Sequence, residues 1–435
     1  MKEYDLEMTK DNLKRSIEND TLNRNFKLNK LIELLNVIKG NKIISIDGKW
    51  GCGKTFFLKQ LEYINKNDFI LNDKFSEENI KTFKEKYEVY YYNAWENDMH
   101  NSPLLSLIHN LINDFPKEKD QTASDKVESP LDIIEGIKTL SQNFINLDKV
   151  KTYNDLTQEI HTSEEKKNAL NNIINNILPT GKKLVFIVDE LDRCKPEYAI
   201  NMIEVIKHFY SNKRIVFLLG TNNLQLSHII SNYYGKDFDG YGYLNKIYNL
   251  VIELGDVSIE KYVESITARR DGSCWCDICL YGVCSYFNFS MREVNRVLND
   301  FDLLDEYLNT SYGGILTEDK LIKYLILPYC LGLKIANRSE LNNFFNGHGY
   351  ALLKDYIFTN ESLIKILERC YEGNKFNVTQ KSDEEKNINL EDYLLQMYNA
   401  YFVEKNPNWH ITENKAKFLD TFSLLSGYSK IISKE

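Results

Sequence analysis

Apolar positions along this 435-residue chain follow two regimes, and the change falls near residue 256. In the first regime, short continuous apolar runs alternate with stretches of helical spacing. Ile43-Ile44-Ser45-Ile46, the run from Lys86 to Tyr92, Leu184-Val185-Phe186-Ile187-Val188 and Ile215 to Leu219 read as strands, and Leu250 to Leu254 is a candidate fifth. Helical spacing runs through Phe26, Leu28, Leu31, Ile32, Leu34, Leu35 and Ile38, and Gly40-Asn41 ends it. It recurs over Phe56 to Leu61, Leu104 to Ile112, 131–147, 153–178 and Pro196 to Tyr210. Strands alternating with helices predict an α/β fold with a mainly parallel sheet. In the second regime strand signals stop. Leu321 to Ala336 reads as a core helix broken at Pro328, and Lys381 to Asn389 as a charged interruption. The expected organisation is an N-terminal helical segment over 1–25, an α/β domain over 26–255 and a C-terminal helical domain over 256–435. The α/β domain carries a helical insertion at about 100–180, in which 116–130 is nearly devoid of apolar residues and reads as a mobile loop.

The connection after the first strand is the chemically informative one. Gly48-Lys49-Trp50-Gly51-Cys52-Gly53-Lys54-Thr55 is G-x-x-x-x-G-K-[ST], and a strand precedes it while a helix starting near Phe56 follows. Glycines let the backbone curl so that successive N–H groups point at an anion. The helix beneath adds unpaired N–H groups and the positive end of its dipole. In that geometry Lys54 reaches the β- and γ-phosphates of a nucleotide, and Thr55 offers its hydroxyl to Mg²⁺.

A second piece lies at the end of the third strand, where Val185-Phe186-Ile187-Val188 runs into Asp189-Glu190. Parallel sheets bind ligands at the C-terminal ends of their strands. Asp189 there can hold Mg²⁺, and Glu190 can orient or deprotonate an attacking water. A neighbouring carboxylate favours hydrolysis over a pure switch, and water over a substrate hydroxyl as acceptor. Phosphoryl transfer also calls for a cation near the γ-phosphate. Arg193, Arg269-Arg270, Arg292 and Arg296 are the candidates.

Composition narrows the class. Hydrophobic residues make up 43% and charged residues 27%, an ordinary globular profile. A net charge of −9 without a long basic run argues against a dedicated duplex-binding surface. The start, Met1-Lys2-Glu3-Tyr4-Asp5, lacks the apolar core of a signal peptide, and no run is long enough to span a bilayer. Eight scattered cysteines fit a reduced, cytoplasmic setting. Cys274, Cys276, Cys279 and Cys284 raise a zinc alternative, against which the interleaved Trp275, Ile278, Leu280 and Val283 favour a core helix. Cys52 stands at a helix N-terminus, which depresses thiol pKa, but a small side chain simply fits there. Trp50 and Trp95 can stack on a base or pack the loop, and packing is the expectation.

These stretches together resemble the KAP family of P-loop NTPases. The likeness rests on Ile46 to Thr55, on Asn93-Ala94-Trp95 followed by Ser102-Pro103-Leu104, and on Glu190-Leu191-Asp192-Arg193-Cys194 directly after Asp189. Tyr243-Leu244-Asn245-Lys246-Ile247 and Phe289-Ser290-Met291-Arg292-Glu293 extend it. The resemblance implies an additional-strand P-loop core of the STAND and AAA-like type, binding and slowly hydrolysing ATP with Mg²⁺ through a conformational cycle. By motif matching, Gly48 to Phe56 hold the nucleotide and Thr55 and Asp189 the Mg²⁺. Lys54 and Glu190 act on the reaction, and Arg292 senses the nucleotide. Asn222 follows the fourth strand, where the family often has an aspartate, and is a second sensor candidate. Bacterial relatives are linked to phage exclusion or stress signalling. Many members insert membrane-spanning helices, whereas residues 100–180 here are polar. The implied partners are ATP, a second copy of the chain and an unidentified protein. An ATP-bound STAND-like scaffold with little turnover and a nucleic-acid-stimulated ATPase are the alternatives.

Overall fold

In a computed structural model of the chain, residues 8–20, 22–68, 74–100, 102–114, 174, 178–209, 212–255, 257–267, 274–309, 321–374 and 383–403 are described. The loop expected at 116–130 and the helices expected at 131–147 and, but for residues 174 and 178, at 153–178 lie outside them. The described residues form two compact units, one ending at Asp256 and the other starting at Val257.

The first unit is built on a five-stranded sheet of order β2-β3-β4-β1-β5, in which every pairing is parallel. The strands are β1 (Lys42–Asp47), β2 (Tyr87–Asn93), β3 (Lys183–Asp189), β4 (Ile215–Thr221) and β5 (Leu250–Glu253). Central β3 and β4 are buried along almost their whole length, which is why they read as unbroken apolar runs. β5 lies at one edge, and its Leu250 and Val251 are exposed. Helices of this unit among the described residues are α1 (Lys10–Asn19), α2 (Asn25–Val37), α3 (Lys54–Lys66), α4 (Glu77–Lys86), α5 (Pro103–Asp114), α6 (Pro196–Phe209), α7 (Asn223–Tyr234) and α8 (Gly240–Ile247). Hydrophobic spacing does not reveal α4, because it buries only Ile80 and Phe83. End chemistry forms it instead. Ser76 caps its start, Glu77 and Glu78 occupy the first turn, and Lys84 and Lys86 the last. The sheet register sets Asn93 beside Asp189, Asp189 beside Gly220, and Thr221 beside Asp47. One row across the C-terminal edge of the sheet therefore carries the residues of interest.

The described residues of the second unit contain helices and no strand. They are α9 (Ile259–Thr267), α10 (Cys274–Tyr286), α11 (Met291–Asn309), α12 (Leu327–Ala336), α13 (Arg338–Phe345), α14 (Tyr350–Phe358), α15 (Glu361–Asn374) and α16 (Asp383–Tyr398). The break expected at Pro328 takes the form of a π-helical turn at Ile322–Ile326, where the Leu327 N–H donates to the Ile322 carbonyl. Proline cannot donate and crowds the carbonyl four residues back, so the helical register widens just before it. The interruption expected at Lys381 to Asn389 is helical from Asp383 onward. Buried Leu390, Tyr393, Leu394 and Met397 then anchor that helix at its natural spacing. Among the described residues no helix is long and apolar enough to cross a membrane.

Candidate nucleotide site

The loop between β1 and α3 has the backbone its glycines allow. Gly51 and Gly53 adopt φ of 81° and 88°, a left-handed conformation that disfavours side chains. Gly53 is the N-cap of α3, so the first-turn N–H groups of that helix open toward the loop. Lys54 is buried. Its Nζ donates to the carbonyls of Gly48 at 2.5 Å and Lys49 at 3.2 Å, so the loop closes around its own lysine. Lys49 is exposed, and Cys52 and Phe56 are buried. Arg24, just before α2, braces the loop from behind. It donates to the carbonyls of Cys52 at 3.4 Å, Gly255 at 2.7 Å and Leu254. Nothing in the spacing of α2 marks this arginine, whose partners lie far along the chain.

Asp189 sits at the end of β3 and is fully buried. Its Oδ2 accepts from the Tyr91 hydroxyl at 3.0 Å and its Oδ1 from the Glu190 N–H at 2.9 Å. These donors are both neutral. Burial outweighs them and pushes the carboxyl up from 3.8 to about 6. A divalent cation would offset this cost. Mg²⁺ takes few protein ligands and keeps most of its coordination for water and phosphate. One hydroxyl and one carboxylate fit that demand, so Thr55 and Asp189 are the pair that would hold it.

The proton balance predicts a stability effect. The folded chain binds the Asp189 proton more tightly than the unfolded chain. The group's favourable contribution is thus complete below about pH 4 and is lost as pH rises through about 6, a change on the order of 3 kcal/mol. Asp189→Asn cannot ionise. Without metal or nucleotide it should melt at a higher temperature than the native chain at pH 8, and the difference should shrink toward pH 4. A lower melting temperature at pH 8 would contradict this account.

Gly220 on β4 faces the same carboxylate. A Cβ there would press on both Asp189 Oδ1 and Leu58 Cδ1, closer than side chains pack. Gly220→Ala should therefore cost about 1–3 kcal/mol of stability, read as a lower melting temperature.

Glu190 holds an unusual backbone, with φ of 60° in the left-handed region. Its N–H donates to the Gly220 carbonyl at 3.1 Å, which fixes the turn. Both carboxylate oxygens are engaged, Oε1 by Arg193 Nη1 at 2.8 Å and Oε2 by Asn93 Nδ2 at 3.4 Å. Arg193 lies in a short 3₁₀ turn, Leu191–Arg193, and its guanidinium also stands 5.5 Å from the centre of the Trp95 ring. Trp50, from the phosphate loop, donates its Nε1–H to Asp192 at 2.5 Å in the same turn. The packing expected of Trp50 and Trp95 is only partial, since both rings remain about half exposed.

Asn222 Oδ1 accepts from the Gln225 N–H at 3.2 Å and so caps α7. Below it, Asn223 joins Ser45, Thr221 and Tyr248 in a buried polar network, and its N–H donates to Asp47 Oδ1 at 2.9 Å. Arg292 and Arg296 are exposed on α11 of the second unit, and Arg269-Arg270 lie outside the described residues. Cys274 to Cys284 lie on one continuous helix, α10. Cys279 and Cys284 on it are buried, and burial pushes the Cys284 thiol up to about 12. No group of three or more metal-ligating side chains occurs among the described residues.

Comparison with known proteins supplies a weak pair of relatives and a strong family match. The chain is 23% identical over 337 residues to a phenylalanine–tRNA ligase beta subunit of Mycoplasma mycoides, a stretch covering 72% of this chain and 37% of that protein. It is 38% identical over 48 residues to an uncharacterized protein of Methanocaldococcus jannaschii, covering 11% of this chain and 25% of that one. The matches span between a quarter and two fifths of these relatives' lengths, and no activity passes from them to this chain. The KAP family P-loop domain matches residues 24–270, which take in the phosphate loop, the whole sheet and the Asp189-Glu190 turn. With that match over more than half of its length, and with the glycine loop and buried carboxylate of a P-loop nucleotide-binding domain in place, the chain belongs to the KAP family.

Proposed function

We propose that this protein is an ATPase that requires Mg²⁺ and couples hydrolysis to a conformational or assembly step. The observation that carries the proposal is the Asp189-Glu190 pair at the end of a buried strand, at the same edge of the sheet as the phosphate loop that follows β1. The amides of Gly48 to Phe56 bind the phosphates and Lys54 neutralises their charge. Thr55 and Asp189 hold the Mg²⁺, which when bound screens the phosphate charge. Glu190 orients the attacking water and takes its proton. Arg292 and Asn222 serve as nucleotide sensors. On this reading the nucleotide-binding domain spans 26–255, with 1–25 before it and a helical readout domain over 256–435.

A second reading, a nucleotide-operated scaffold with little turnover, is favoured by one observation: Arg193 and Asn93 occupy both oxygens of Glu190. Steady-state hydrolysis of ATP at several protein concentrations separates the two. Turnover per molecule that rises with concentration supports an ATPase completed by a second copy. Tight binding without turnover supports the scaffold and a protein partner that frees Glu190. Stimulation by single-stranded or duplex DNA would favour the nucleic-acid alternative. The family resemblance extends the cycle to phage defence or stress signalling in a bacterial cytoplasm. Phage plating on cells carrying the native chain or Lys54→Ala tests that role.

A further inference from the structure

The metal side of the proposed site depends on a residue that no motif contains. Tyr91 lies on β2, and its phenol crosses to the neighbouring strand to donate to Asp189 Oδ2 at 3.0 Å. Its ring is held from the other side by the Lys59 ammonium of α3, 3.5 Å from the ring centre. Lys59 is in turn paired with Glu62 at 2.9 Å. The Tyr91 side chain is half-buried, and its hydroxyl acts as the donor to the carboxylate. Asp189 is thus oriented by two donors from two elements: Tyr91 on β2 and the Glu190 N–H after β3.

We propose that Tyr91 is the positioning residue for Asp189 and sets the preference of the site for Mg²⁺ over larger cations. The inference rests on the reading that Asp189 meets the metal. Mg²⁺ tolerates little deviation from octahedral geometry, whereas Ca²⁺ accepts irregular and variable coordination. A carboxylate whose orientation is fixed by a phenol suits the demanding ion. One released to a second rotamer serves Ca²⁺ nearly as well and Mg²⁺ worse. Partners of metal-binding carboxylates typically contribute 10- to 100-fold in metal affinity.

The test is a titration of Mg²⁺, and separately of Ca²⁺, into full-length protein with a fluorescent ATP analogue, read as bound nucleotide. Nucleotide affinity in EDTA is measured alongside. Tyr91→Phe should raise the half-saturating Mg²⁺ concentration by about tenfold. It should move the Ca²⁺ value less than threefold and leave the affinity in EDTA unchanged. Asp189→Asn is the control. If it raises the Mg²⁺ requirement and Tyr91→Phe does not, the role of Tyr91 is overturned and that of Asp189 stands. If Asp189→Asn leaves the requirement unmoved, the metal reading fails and the inference with it. An equal loss in Mg²⁺, Ca²⁺ and EDTA would mark Tyr91 as structural only. Should Tyr91→Phe not melt cooperatively, Tyr91→Met, which keeps bulk without a donor, takes its place under the same criteria.

Discussion

Glu190→Gln is expected to bind ATP as the native chain does and to lose turnover by about a hundredfold or more, the usual contribution of a positioned general base. The substitution keeps size and shape. It also keeps an oxygen that can accept from Arg193 or Asn93, so the turn at φ 60° has no reason to collapse. What it removes is the capacity to take a proton from water. Rapid-mixing measurement of bound nucleotide together with steady-state phosphate release distinguishes the two effects. Native turnover in this variant would move the base to another residue. The companion change Arg193→Ala separates the two functional readings. If Arg193 restrains Glu190, basal turnover rises. If Arg193 instead stabilises the transferring phosphate, turnover falls with nucleotide affinity little changed.

For Lys54→Ala the expected result is loss of tight nucleotide binding, by about a hundredfold or more. A charge-assisted hydrogen bond contributes about 1.5–3 kcal/mol, and each 1.4 kcal/mol is tenfold in affinity. Lys54 is nearly buried and its ammonium is already held at the loop by the Gly48 and Lys49 carbonyls, so little further ordering is needed to meet phosphate. Equilibrium binding of a fluorescent nucleotide measures the loss. The melting temperature without nucleotide shows that the fold survives. Unchanged affinity would remove the phosphate loop from the site.

The sheet was legible in the chain because its central strands are buried on both faces and carry no polar alternation to confuse them. The phosphate loop was legible because local backbone geometry dictates its glycines. The place of Asp189 and Glu190 at a strand end was legible from the apolar run before them. Tyr91 was not, because its partner lies 98 residues away on another strand and a tyrosine within Tyr90-Tyr91-Tyr92 looks like core. Gly220 reads as a strand terminus until the register sets it beside Asp189. The Trp50 bond to Asp192 joins two motifs that were each visible, but not as one unit. Helix α4 escaped because its stability resides in capping and end charges rather than in a wide apolar face.

The bracing arginine has a consequence for anyone dissecting this protein. Arg24 precedes the helix where hydrophobic spacing starts, yet its guanidinium joins the phosphate loop to the carbonyls of Leu254 and Gly255 after the last strand. A truncation beginning at Phe26 discards that tie, together with the buried Asn25 amide and the contact of Ser16 with Gln60 on α3. The shortest piece that preserves the loop must reach back through α1. A shorter one should lose affinity for nucleotide although every motif residue is still present.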